Sequence, residues 1–149
     1  MNHKKKTDNF HILLVEDNPD DVFLTRMAFE ETPTLKQLHV VENGSEALKF
    51  LDRVIPYENV PRPHLILLDL NLTGMSGHQV LAKIKEDDRL KDIPVIILST
   101  STYEEDIVKC YKCHANCYIT KPVDLDDFMK MIRFVENFWL DIVRLPIHD

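Results

Sequence analysis

Leu65-Ile66-Leu67-Leu68-Asp69 is the stretch on which the fold turns. Four apolar residues run without a break, with Pro63 before them and Gly74 after, and the run is too short for a helix that stands alone. A strand with one wet face would alternate apolar and polar residues. An unbroken run reads instead as a strand buried on both faces, which needs cover above and below. The flanking sequence supplies that cover. Downstream, Val80, Leu81 and Ile84 mark one face of a helix, and Pro94 opens a second apolar run, Val95-Ile96-Ile97-Leu98-Ser99. Upstream, Ile12-Leu13-Leu14-Val15 repeats the pattern and ends in Glu16-Asp17. Asn18 then reads as an N-cap and Pro19 as the first helical residue, with Asp20 and Asp21 suited to the positive end of the helix dipole. Val22, Leu24, Met27 and Phe29 populate that helix until Thr32-Pro33 stops it.

Three further segments complete the alternation. Leu38-His39-Val40-Val41 is a strand closed by Asn43-Gly44, followed by a helix carrying Ala47, Leu48 and Leu51 and a loop with Pro56, Pro61 and Pro63. Glu104 to His114 reads as a helix, and Cys117-Tyr118-Ile119-Thr120 as a strand stopped by Lys121-Pro122. A last helix starts at Asp124 and runs to Val143. The pattern predicts one α/β domain over residues 10–143: a doubly wound, five-stranded parallel sheet flanked by five helices, with an extended C-terminal helix. A polar tail precedes it at residues 1–9 and a short tail follows at 144–149.

Composition agrees. The chain has 149 residues, 44% of them apolar and 29% charged, enough for one domain with a sizeable core. A net charge of −7 argues against direct nucleic-acid binding, which needs a basic face. The one basic run, Lys4-Lys5-Lys6, is short. No apolar run approaches the ~18 residues that span a bilayer. The polar N-terminus lacks the apolar core of a secretory signal, so a cytoplasmic address is expected, and the three cysteines are expected as reduced thiols.

Parallel sheets gather ligands outside the carboxyl ends of their strands, where strand order reverses. Here those ends carry Glu16-Asp17, Asp69 and Ser99, and Lys121 follows the fifth strand. Clustered carboxylates repel one another unless a cation sits among them. A hard oxygen site with few protein ligands suits Mg²⁺, and a lysine beside it offers a point charge to phosphate. The set predicts an acidic Mg²⁺ pocket that handles a phosphoryl group. Each residue also has a plainer reading. Asp69 would cap the turn after it, Ser99 would be a turn residue, and Asp20 and Asp21 are read as a solvated helix entry.

Val15-Glu16-Asp17-Asn18, Leu67-Leu68-Asp69-Leu70-Asn71-Leu72, Ile96-Ile97-Leu98-Ser99 and Tyr118-Ile119-Thr120-Lys121-Pro122 resemble, in order and spacing, the receiver domains of two-component response regulators. The resemblance covers about residues 10 to 135. Within the family the chain is most similar to single-domain regulators that pair with phytochromes. The features behind that are the insert Tyr57 to Pro63, Asn116-Cys117-Tyr118, and Phe138-Trp139-Leu140 with Leu145-Pro146. The resemblance implies a flavodoxin-like fold and a signalling protein that catalyses only its own phosphorylation and dephosphorylation. Asp69 would take a phosphoryl group from the histidine of a kinase, possible kinases including the phytochrome type. Glu16, Asp17, Asp69 and the carbonyl of Asn71 would hold Mg²⁺, with Glu16 acting through water. Lys121 would pair with phosphoryl oxygens, and Ser99 and Tyr118 would move as the switch. Lys121-Pro122 would be cis. Thr73 and Ser76 depart from the family's usual proline and aspartate, and neither is expected to carry chemistry. Ser101 and Asn71 stand where the family tunes phosphoryl lifetime. With no further domain after the receiver, the output would be contact with an unidentified downstream protein.

Other readings are weaker. Asp69-Leu70-Asn71-Leu72-Thr73 approaches the Asp-x-Asp-x-Thr motif of haloacid-dehalogenase-type phosphatases, but Asn71 cannot carry the proton that the second acid delivers. A receiver-like scaffold that binds without phosphorylation would not need Glu16, Asp17, Asp69, Ser99 and Lys121 all intact. Cys110-Tyr111-Lys112-Cys113-His114 matches a haem-attachment pattern and, with Cys117, invites zinc. The position, where a helix meets the fifth strand, favours Cys113 and Cys117 as small core residues.

On the last helix, Leu125, Phe128, Met129, Ile132, Val135, Trp139, Ile142 and Val143 follow the helical period and should face the sheet. Met131, Phe134 and Phe138 lie beside that stripe and predict an apolar patch for a homodimer.

Overall fold

Along the first strand, Ile12 and Leu14 point to one side of the sheet and Leu13 and Val15 to the other, and all four are buried. This two-sided burial recurs in the other central strands and sets the architecture. The computed structural model describes residues 9–32, 34 and 36–146. The polar tail expected at 1–9 lies outside the described residues except for Asn9, as do Pro33 and the last three residues of the expected C-terminal tail.

In chain order the elements are β1 (Phe10–Val15), α1 (Pro19–Glu30), β2 (Lys36–Val41), α2 (Gly44–Asp52), β3 (Leu65–Asp69), α3 (Gly77–Glu86), β4 (Val95–Ser99), α4 (Glu104–Lys112), β5 (Cys117–Thr120) and α5 (Leu125–Glu136). A π-helical segment, Asn137–Ile142, continues α5. The strands form one parallel sheet in the order β2-β1-β3-β4-β5. Strand order reverses between β1 and β3, whose last pair is Val15 with Leu68, so Glu16 and Asp69 emerge side by side.

Each face carries its own core. Leu13, Val15, Ile66, Leu68, Val95 and Ile97 meet side chains of α2, α3 and α4. Ile12, Leu14, Leu65, Leu67, Ile96 and Leu98 meet Ala28 and Phe29 of α1 and Phe128, Met129, Ile132 and Val135 of α5. Edge strands β2 and β5 are less buried, and β2 begins earlier than expected, at Lys36.

Helix starts follow local chemistry. Asn18 accepts from the N–H groups of Asp20 and Asp21, and Asn43 from that of Glu46. Ser76 and Gln79 form a reciprocal capping box.

The C-terminal helix differs from the expected single α-helix. After Glu136 the hydrogen bonds widen, as in Val143 N–H to the Phe138 carbonyl at 2.9 Å. The wider turn slips the phase of the apolar stripe. Phe128, Met129, Ile132 and Val135 are buried as expected, but Leu140 takes the inward position. Trp139 and Val143 are half-buried, and Leu125 and Ile142 are exposed. Glu136, absent from the expected stripe, is buried where it bonds Thr32 and pairs with Lys36 at 2.9 Å. Those contacts join the end of α5 to the α1–β2 connection.

The cysteines also need a correction. Cys110 is the fully buried one, whereas Cys113 and Cys117 are half-buried and pack against opposite core faces. Cys113 caps the end of α4 and Cys117 starts an edge strand, so neither position is enclosed.

Candidate functional site

Asp69 ends β3, a strand buried along its whole length, and lies beside Glu16 where strand order reverses. It is 4% exposed and Glu16 is 2% exposed, whereas Asp17, at the loop entrance, faces solvent. Each of these three carboxylates offers an oxygen within 4.8 Å of the others, a donor set for a hard cation. Among the described residues this is the one group of three or more acidic, histidine or cysteine side chains so gathered.

Lys121 enters from the end of β5. Its Nζ reaches Glu16 Oε1 at 2.8 Å, Asp21 Oδ2 at 2.8 Å and Asp69 Oδ2 at 3.4 Å. The three donors of one ammonium thus meet three carboxylates. Asp21 is therefore part of the site and not the solvated helix entry read from sequence. As the third residue of α1, it looks back at the strand ends that the first turn overhangs. Asp20 remains exposed.

Two groups of this cluster, Glu16 and Lys121, hold their protons more firmly than usual. Burial, then hydrogen bonding with Asp69, pushes the Glu16 carboxyl up to about 7 despite the pull of Lys121. Burial disfavours the Lys121 ammonium, but hydrogen bonds to Asp21 and Glu16 and the charges of Glu16 and Asp69 outweigh it, so its value rises.

The loop after β3 is fixed to this pocket. Asn71 N–H donates to Asp69 Oδ1 at 3.0 Å, and the Thr73 hydroxyl lies 3.3 Å from Asp17 Oδ2. Thr73 thus touches the acidic pair, a contact the sequence reading did not anticipate. Gly74 holds a left-handed φ of 81°, which suits glycine. Gly77 allows close approach, because a Cβ there would lie 2.5 Å from both the Asp69 carbonyl oxygen and Leu70 Cα.

On the other side, Ser99 is fully buried at the end of β4, and its Oγ accepts the Ser101 N–H at 3.0 Å. The Tyr118 hydroxyl donates to the Ser101 carbonyl at 2.9 Å. The Lys121 N–H donates to the Ser99 carbonyl at 2.7 Å. Lys121–Pro122 is trans, contrary to expectation, and among the described residues the cis peptide is Ile55–Pro56. Trans is the intrinsic preference at X–Pro by about 0.5–1 kcal/mol, and the chain keeps it here.

Met131, Phe134 and Phe138 lie far along α5 and its extension. Phe134 is 63% and Phe138 38% exposed, with rings stacked at 6.1 Å. Met131 is half-buried against the core and contributes less surface.

An acid pair after β1, an acid ending β3, a hydroxyl ending β4 and a lysine after β5 on this topology define a phosphoacceptor domain of two-component signalling. Residues 12–133 match the family described as the response regulator receiver domain, and the chain belongs to that family. It is 45% identical over 135 residues to the response regulator Rcp1 of Synechocystis sp., covering 91% of this chain and 92% of that protein. The crystal structure of the Mn²⁺-bound form of Rcp1 aligns with a TM-score of 0.90 at 44% identity, covering 93% of this chain and 99% of that one. That of the phosphorylated cyanobacterial phytochrome response regulator RcpA aligns with a TM-score of 0.92 at 43% identity, covering 94% and 100%. The protein is a response regulator. No helix among the described residues is long and apolar enough to cross a membrane.

Proposed function

We propose that Asp69 is the phosphoacceptor, taking its phosphoryl group from the histidine of a phytochrome-type kinase, and that residues 10–143 act as the working unit. The observation that carries this reading is the buried Asp69 carboxylate, held between an acidic pair and a single ammonium. The P–N bond of the phosphohistidine breaks and its electron pair returns to the imidazole. An Asp69 oxygen forms the new bond to phosphorus, giving an acyl phosphate. Lys121 meets charge on the transferring oxygens, and the enclosed pocket limits water.

The all-oxygen donor set fits Mg²⁺, with Asp17, Asp69 and the Asn71 carbonyl as direct ligands and Glu16 as a water-mediated one. When bound, the ion neutralises phosphoryl charge. The dianionic group then draws in the Ser99 hydroxyl, and Tyr118 leaves the Ser101 carbonyl. The protein turns over no other substrate and signals by contact with a downstream protein. A homodimer through Met131, Phe134 and Phe138 fits the exposed aromatic patch.

Intact-mass measurement tests the acceptor. With Mg²⁺ and a small phosphoryl donor, the wild type gains one phosphoryl group, whereas Asp69→Asn and chelated wild type gain none. Unchanged labelling of Asp69→Asn would overturn the assignment. Labelling by a phytochrome kinase in preference to unrelated kinases tests the partner.

A further inference from the structure

Ser101 is held more tightly than a loop residue needs to be. Its N–H donates to Ser99 Oγ, and its carbonyl accepts the Tyr118 hydroxyl. Its Oγ accepts the Tyr103 N–H at 3.2 Å and donates to Asp106 Oδ2 at 2.6 Å. Helix α4 has no side-chain cap of its own at Tyr103, so Ser101 and Asp106 together fasten its first turn to the loop.

The chain of bonds continues away from the pocket. Asp106 Oδ1 lies 3.4 Å from His78 Nε2 on α3, and His78 Nδ1 lies 3.7 Å from Cys110 Sγ. The Ser101 hydrogen bond holds the Asp106 carboxyl below its ordinary value against partial desolvation, with His78 adding to the effect. An ionised carboxylate only accepts, so Ser101 O–H and His78 Nε2–H both donate to it. In the neutral ring this tautomer offers Nδ1 as the acceptor for the Cys110 thiol. Cysteine, histidine and aspartate in series have the connectivity of an activated nucleophile. Cys110 is fully buried, however, and burial pushes its thiol up to about 11, so the thiol serves as a donor.

The Ser101 hydroxyl and His78 point at Asp106, while the Ser101 N–H points at Ser99. The Ser99 oxygen accepts from Ser101, and its own proton has no acceptor among the described residues. That bond ties Ser99 to Ser101, so any shift of the Ser99 hydroxyl toward a phosphoryl group carries Ser101 with it or breaks the bond. From this geometry we infer that Asp106, oriented by His78, is a positioning residue that holds Ser101 and thereby keeps Ser99 and Tyr118 in the resting arrangement. The inference rests on Asp69 being the phosphoacceptor. Removing the Asp106 carboxylate releases one restraint on Ser101 and favours the switched arrangement. Loss of one charge-assisted hydrogen bond corresponds to a change on the order of tenfold.

The test is the affinity for beryllofluoride, a stable phosphoryl mimic, measured with saturating Mg²⁺ on the full chain. Asp106→Ala and Ser101→Ala should each bind it about tenfold more tightly than wild type. Asp106→Asn, which keeps an acceptor oxygen, should fall between. The double variant should match either single one, because both cut the same bond. Mg²⁺ affinity without beryllofluoride should stay unchanged in all of them. A purely structural role would lower melting temperature without tightening the mimic. Equal or weaker beryllofluoride binding in Asp106→Ala and Ser101→Ala would overturn the inference. If Asp106→Ala does not fold, Ser101→Ala and Asp106→Asn carry the same comparison. A wild type that binds no beryllofluoride, or an Asp69→Asn variant that binds it normally, would overturn the acceptor reading instead.

Discussion

Replacing Lys121 by methionine keeps most of the side-chain stem and removes the one ammonium that Glu16, Asp21 and Asp69 share. Two of those carboxylates are then buried without a counter-charge. Breaking a buried pair from one side costs about 3–5 kcal/mol. Glu16, already raised to about 7 in the wild type, takes up its proton at little further cost at pH 7, so the loss falls mainly on the buried Asp69 carboxylate and sits at the low end of that range. Lys121→Met should therefore lose about 3 kcal/mol at pH 7 without divalent cation, or about 1.5 M in urea midpoint for a slope near 2 kcal/mol/M. At pH 5 protonating a carboxylate is cheaper than at pH 7 by up to about 2.7 kcal/mol, two units at 1.36 kcal/mol each, and the deficit should shrink. The same change should tighten Mg²⁺. Charges of +1 and +2 about 5 Å apart repel by roughly 7 kcal/mol at an effective dielectric of 20, and even heavy screening leaves more than a tenfold effect. Urea titrations at both pH values and calorimetric Mg²⁺ binding make the assay. A midpoint that does not move at pH 7, or an unchanged Mg²⁺ affinity, would refute the account of Lys121 as the counter-charge.

Asp21→Asn should cost about 1 kcal/mol in urea and Asp20→Asn less than about 0.5, since only Asp21 meets Lys121; equal losses would remove Asp21 from the site. Asp17→Asn should weaken Mg²⁺ while Asp20→Asn should not, as read by calorimetry. Burial holds His11 and His39 below their ordinary value, with the charge of His11 adding to the effect on His39, so the unfolded chain takes up protons first as pH falls. Their stabilisation is present above pH 6.5 and is lost as pH drops through the lowered values. His39→Gln should flatten that decline in melting temperature, and parallel curves would contradict it. Sedimentation should show a wild-type dimer at micromolar concentration and a monomer for Phe134→Glu with Phe138→Glu; a monomeric wild type leaves the patch to another partner.

The amino-acid sequence alone determined the α/β class and the parallel sheet, because an unbroken run such as Leu65–Leu68 must be covered on both faces. It also picked out Glu16, Asp17, Asp69, Ser99 and Lys121, since strand ends are legible once strands are. Helix starts at Asn18, Asn43 and Ser76 involve neighbours a few residues away, and Asn18 was read correctly for that reason. Contacts across long sequence separations were another matter. Asp21 meets Lys121 a hundred residues away, and Thr73 meets Asp17 across 56. Nothing local distinguishes Asp21 from Asp20; only the overhang of α1 above the sheet does. The expected stripe on the last helix assumed a constant period, and packing at its end replaced the α-helical turn with a wider one that buries Leu140 and leaves Glu136 facing Lys36. The series from Ser101 through Asp106 and His78 to Cys110 spans a loop and two helices. Side-chain hydrogen bonds between separate elements depend on how helices sit over the sheet, and that placement is a property of the packed core rather than of any local run of residues.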